Sequence, residues 1–122
     1  MTQTVYEKYG GFGAISRVVM AFYDKLLDSD IVGPFFDDVD LKRLIDHQTK
    51  FVSSLVGGPA AFSDDRIEAV HRHLGISHDH FDVMAELFGE ALEMHGMSER
   101  DIKTALGAIE GKRSIIVSRD AA

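Results

Sequence analysis

The chain has no cysteine, no tryptophan and only two prolines among its 122 residues. Without cysteine there is neither a disulfide framework nor a thiolate metal site. Basic residues are scarce beside acidic ones, 13 Lys and Arg against 20 Asp and Glu. The resulting net charge of −7 argues against a nucleic-acid partner, because a phosphate-binding surface needs clustered cations. The acidic side chains read instead as a solubilising surface. Unbroken apolar runs are only a few residues long, too short to span a bilayer. The first residues, Met1-Thr2-Gln3-Thr4, lack the basic-then-apolar layout of a secretory signal, and the expectation is a cytoplasmic protein. Repeats, low-complexity tracts and linkers are also missing, so residues 1–122 read as a single domain.

What is present is helical periodicity, interrupted by glycine. Ile15, Val18, Val19, Phe22, Leu26 and Leu27 recur at the spacing of one helix face, which predicts a helix over 14–28. A short helical turn is expected around Val5–Tyr9, ahead of Gly10-Gly11 and Gly13. Ile31–Phe36, with Pro34 inside it, reads as a turn or 3₁₀ segment. A second long helix is expected over 40–56, with Leu41, Leu44, Ile45, Gln48, Val52 and Leu55 in its stripe, Phe51 beside it and Gly57-Gly58-Pro59 ending it. Ser63 is a suitable N-cap for a short helix over 64–73, whose stripe is Ile67, Val70, His71 and Leu74. Ser77 caps a helix over 78–95 that buries Phe81, Met84, Phe88, Ala91 and Leu92. Ser98 and Asp101 open a last helix, 99–117, carrying Ile102, Ala105, Leu106, Ile109 and Ile116. No segment alternates as a strand does. The fold class is all-α.

Three polar residues interrupt these apolar stripes or stand at their edge: Tyr23, Gln48 and His71. Each alone has an ordinary structural explanation. A buried polar group left unpaired costs about 1–3 kcal/mol, so three in one small core call for a common partner. Haem would serve. Its iron takes a neutral imidazole nitrogen, which suits His71 on a short helix. On the opposite side, the Tyr23 hydroxyl and Gln48 amide are able to donate to a bound diatomic ligand. Phe22, Phe35, Phe36, Phe51 and Phe81 are candidate walls for a flat macrocycle.

The other histidines carry less. His71 with His73, and His78 with His80, are each two residues apart, a spacing that points side chains away from each other on a helix. His73 and His78 flank a glycine turn and leave a shared metal as a minor reading. His80 falls where a capping residue would sit behind Ser77, and His95 precedes Gly96 at a helix C-terminus, a site that favours a cation. His47 admits three readings: solvated, bound to a haem propionate, or ligating iron as a sixth ligand.

Read together, these residues carry a recognisable order. Tyr6-Glu7-Lys8-Tyr9-Gly10-Gly11, Phe22-Tyr23, Pro34-Phe35-Phe36, His47-Gln48 with Phe51, Gly57-Gly58-Pro59, Val70-His71, Gly75-Ile76 and His80-Phe81 follow one another at family spacing. The chain resembles the group I truncated haemoglobins, over nearly its whole length. The resemblance implies a truncated globin-like, two-on-two helical sandwich around haem. It makes His71 the proximal iron ligand and Tyr23 the main distal donor, with Gln48 the second. Phe36 would pack on the haem face. Leu44 falls where many globins have a distal histidine, so that any sixth ligand would be His47. Phe22, Phe51, Ile67, Ile76, Phe81, Met84 and Ile109 fall where relatives line the pocket or its gas tunnels. No C-terminal histidine matches the one that some relatives bond to a haem vinyl group, so haem b is expected to be held non-covalently.

The function so implied is reversible binding of oxygen and other diatomic gases (O₂, NO, CO) at ferrous iron. For some group I members it extends to nitric oxide dioxygenase or detoxification chemistry, which requires an electron-donating reductase. A non-catalytic gas carrier, store or sensor is the alternative, and a monomer or weak dimer is the expected assembly.

Overall fold

A computed structural model describes residues 4–58, 64–71 and 74–117. The expected N-cap Ser63, Pro59, the stretch 72–73 with His73, the side chain of Val70 and residues 118–122 lie outside the described residues. The elements are α1 (Val5–Lys8), α2 (Phe12–Asp28), a 3₁₀ turn (Gly33–Phe36), α3 (Leu41–Leu55), α4 (Asp64–His71), α5 (His78–Met94), α6 (Glu99–Glu110) and α7 (Arg113–Ile116). No strand occurs among the described residues, and no helix there is long and apolar enough to cross a membrane.

Local chemistry sets most of the boundaries. Thr4 opens α1 with a capping box closed by Glu7, two orphan donors being satisfied reciprocally. The Asp40 carboxylate accepts from the Arg43 amide at 3.3 Å and starts α3. Ser77 starts α5 with a box whose second member is His80, the imidazole Nδ1 accepting from the Ser77 amide at 3.1 Å. Gly57 and Gly58 end α3 where the chain folds back on α1. Gly57 has φ +93, and a Cβ on Gly58 would stand 2.8 Å from the Ser53 carbonyl oxygen and 2.9 Å from the Tyr6 ring. Only glycine fits that approach.

The expected last helix is in fact two. Gly111 caps α6 and Lys112 precedes α7, so the stripe continues past a break that glycine's poor helix propensity helps to make.

Helix α2 packs on α3 and on α5, α5 packs on α6, and α3 meets α6, which closes a two-over-two arrangement. Its main core contains Ile15, Val19, Leu26, Phe88, Ala91 and Leu92, all essentially solvent-free. In α3 the most deeply buried residues are Thr49, Val52 and Ser53. Of the stripe expected over α3 only Val52 is deeply buried; Leu41, Leu44, Ile45, Gln48 and Leu55 are half-buried, and Leu44 lines a cavity rather than packed protein. A second, smaller core joins Ile67 of α4, Ile76, Phe81 of α5 and Ile116 of α7. Helix α4 rests chiefly on α7.

Candidate functional site

Between α2, α3 and the α4–α7 side lies a cavity of about 190 Å³. Its largely apolar lining with a few convergent polar groups is the usual composition of a small-molecule or cofactor site. Tyr23, Gln48 and His71 all line it. So do Phe22, Phe36, Leu44, Phe51, Ile76, Phe81, Met84 and Ile109, each singled out from the sequence.

Tyr23 is 5% exposed and its ring is gripped edge-on by Phe22 and Phe36, both centroids at 5.4 Å. Its position in α2 follows from the stripe, since it neighbours Phe22 and lies one turn before Leu26. Burial pushes the phenol well above its ordinary pKa, so the hydroxyl stays protonated and remains a donor. Among the described residues that hydroxyl meets no hydrogen-bond partner, and the same holds for the half-buried Gln48 amide. Native proteins rarely leave such groups unpaired. Two donors aimed into one apolar cavity therefore fit a ligand that accepts hydrogen bonds.

His71 ends α4 and is half-buried. Its Nδ1 lies 2.7 Å from the Ile67 carbonyl oxygen. A carbonyl oxygen only accepts, so Nδ1 carries the proton and the lone pair of the neutral ring sits on Nε2. Metal-binding imidazoles are commonly oriented this way, by a carbonyl on the other nitrogen.

Two sequence-derived candidates stand apart from the lining. His47 is exposed on α3 and is not among the cavity residues. Ile67 is buried in the smaller core, where its contribution to the site is the carbonyl that holds His71. Conversely, the cavity includes Leu26, Val52, Ala85, Val39, Leu74, Lys112 and Ile116, which were not read as pocket residues. Lys112 was legible in principle. It falls three residues after Ile109 and four before Ile116, on the continuation of their stripe. Val39 and Leu74 are substantially exposed and gave no burial pattern to read.

The remaining histidines do other work. The His80 ring lies against Phe35, itself a cavity residue, with centroids 5.0 Å apart, while His78 contacts Arg113. No group of three His, Asp or Glu able to hold a bare metal ion occurs among the described residues. The donor set suits instead a group that brings most of its own ligands and needs one imidazole, as haem does.

The chain matches the family model of bacterial-like globins over residues 4–117. It is 31% identical over 117 residues to the group 1 truncated haemoglobin of Tetrahymena pyriformis, covering 96% of this chain and 97% of that one. The Fe(III) crystal structure of the Tetrahymena pyriformis protein superposes with a TM-score of 0.86 at 31% identity, over 94% of this chain and 98% of that one. Related crystals of it carry a tyrosine replaced by phenylalanine, or one of two glutamines replaced by glutamate. The 2/2 haemoglobin of a Synechococcus strain, solved in the cyanomet state with covalently attached haem, gives a TM-score of 0.87 at 28% identity, over 96% of this chain and all of that one.

Proposed function

The chain belongs to the bacterial-like globin family, among its group 1 truncated haemoglobins, and on that premise we propose that it reversibly binds oxygen and other diatomic gases on a haem held by His71. When bound, haem supplies the iron that takes the gas. His71 would hold it through Nε2, since Nδ1 is engaged by the Ile67 carbonyl. Tyr23 and Gln48, which line the same cavity, would donate hydrogen bonds to the gas. The observation that carries this reading is the Tyr23 hydroxyl, without a hydrogen-bond partner among the described residues, lining the same cavity as an imidazole whose Nδ1 is held by the Ile67 carbonyl.

The altered Tetrahymena tyrosine and two glutamines have the sequence spacing of Tyr23, Leu44 and Gln48 here. This chain thus keeps the tyrosine and one glutamine but has Leu44 at the other position. One donor is lost and the wall there becomes apolar. The Synechococcus relative carries covalently attached haem. No histidine follows His95 in this sequence, and we read the haem b as non-covalent. Haem titration tests the assignment: one equivalent should give a Soret band and, after reduction, a histidine–iron stretching band. A chain that takes up no haem would refute it.

The finer activity is conversion of nitric oxide to nitrate by the oxygen-loaded protein, each turnover consuming one electron from a reductase. Support comes from the exposed apolar Val39 and Leu74 at the cavity lining, which offer an uncharged second gas an apolar approach from solvent. Repeated consumption of nitric oxide in the presence of a reductant would establish turnover. A single stoichiometric reaction would instead mark a carrier, store or sensor.

A further inference from the structure

We infer that Arg113 is a positioning residue for His71, acting through the small core beneath α4; this rests on the reading of His71 as the haem ligand.

Three observations connect the two residues. First, Arg113 closes the outer side of the small core. Its guanidinium carbon lies 4.4 Å from the centroid of the Phe81 ring, and Phe81 is 1% exposed. Second, the guanidinium is held from two other helices. Nε donates to Glu110 Oε1 at 2.6 Å and Nη2 to Glu110 Oε2 at 3.1 Å, the paired geometry that only an arginine fork provides. Nη2 also donates to Asp82 of α5, and Nη1 reaches the His78 carbonyl oxygen at 3.4 Å and its Nδ1 at 3.3 Å. Third, the core so closed contains Ile67 of α4, and the Ile67 carbonyl is the atom that fixes the His71 ring.

The geometry therefore runs from Arg113 to Phe81, from Phe81 and Ile116 to Ile67, and from the Ile67 carbonyl to His71 Nδ1. Helix α4 has eight residues and α7 has four, too few to be stable helices on their own. Their mutual placement depends on packing, and Arg113 is the side chain that ties α7 to both α5 and α6. Exposed ion pairs usually contribute little. This guanidinium is different in being bidentate, shared between two carboxylates and stacked on a buried aromatic face.

The test uses the haem-loaded protein. Arg113→Met keeps the length and apolar stem but removes the charge and fork; Arg113→Lys keeps the charge alone. Two quantities are read: the histidine–iron stretching band of the ferrous form, and the rate of haem transfer to excess haem-free myoglobin. Arg113→Met should shift and broaden the band and speed haem loss about tenfold, the lower end for outer-shell partners of a metal ligand. Arg113→Lys should show a smaller change of the same sign and decides the matter if Arg113→Met does not fold. Tyr9→Phe, which removes the hydrogen bond to Asp101 far along the sequence, serves as a chain destabilised elsewhere. Its band should stay in place. An unshifted band and unchanged haem loss in both Arg113 variants, or an equal shift in Tyr9→Phe, would overturn the inference. Absence of any histidine–iron band in the unaltered chain would instead refute the ligand assignment of His71.

Discussion

Tyr23 and Gln48 stand on helices of 17 and 15 residues, whereas His71 ends a helix of eight. The wall that bears the two donors belongs to the main core, where Ile15, Val19, Leu26 and Phe88 are almost solvent-free. Among the described residues, the wall that bears the imidazole rests on four buried ones, a short α7 and the Arg113 ion pairs. The donors are thus placed by packing that exists without a cofactor. The imidazole is placed by a small apolar core, one carbonyl and a polar latch, an arrangement that a bound cofactor would complete. Placement by a large core and placement by local polar contacts should respond differently to mutation, and that difference is open to measurement.

The largest expected effect is at the imidazole itself. His71→Ala should lower haem affinity by at least roughly 100-fold, because altering only the outer-shell partners of a metal ligand already costs about 10–100-fold. Haem transfer to a scavenging apoprotein measures it. Next comes a pair of core truncations chosen to separate the two walls. Phe88→Ala should destabilise the whole fold by about 3–5 kcal/mol, the range for a buried phenylalanine, seen as a lower urea midpoint. Ile116→Ala should cost nearer about 2 kcal/mol but hasten haem loss more per unit of lost stability. Equal ratios in the two variants would erase the distinction between the walls.

The smallest effect concerns pH and lies away from both walls. Asp101 accepts from Lys8 at 2.8 Å and from Tyr9 at 2.7 Å, and these bonds, Lys8 first, hold its pKa down to about 2. A carboxylate depressed on folding stabilises the native state above its ordinary pKa, and that contribution is lost as the pH falls through the depressed value. Stability should therefore decline between about pH 4 and pH 2, and Asp101→Asn should flatten that part of the urea-midpoint profile. An unchanged profile would show that the Lys8–Asp101 contact does not act on stability.

Much of the architecture could be read from side-chain spacing, and where it could not there is a physical cause. Helix α2 was evident because six of its residues bury on one face. The split of 99–117 into α6 and α7 leaves no mark on the stripe, because Ile109, Lys112 and Ile116 keep helical register across Gly111. The burial of Thr49 and Ser53 was hidden because polar composition suggests an outward face, whereas such small side chains pack closely, Ser53 even with its hydroxyl unpaired among the described residues. Thr49 donates back to the Ile45 carbonyl at 2.7 Å. At the site, Tyr23, Gln48 and His71 stood out as polar residues in or beside apolar stripes. Val39 and Leu74 did not, since an exposed apolar residue is unremarkable in any sequence. Arg113 was invisible for another reason. Its partners come from residues 78, 81, 82 and 110, and no local pattern reports such a convergence.

The Tyr23 hydroxyl, which meets no hydrogen-bond partner among the described residues, lines the cavity to hold the gas in this reading. Oxygen dissociation from the reduced, haem-loaded protein tests it most directly, comparing the unaltered chain with Tyr23→Phe. A hydrogen bond to a strongly polarised acceptor contributes about 1.5–3 kcal/mol, so dissociation should accelerate roughly ten- to hundredfold, while the unfolding midpoint of the haem-free chain stays the same or rises. An unchanged dissociation rate would rule out that role for Tyr23.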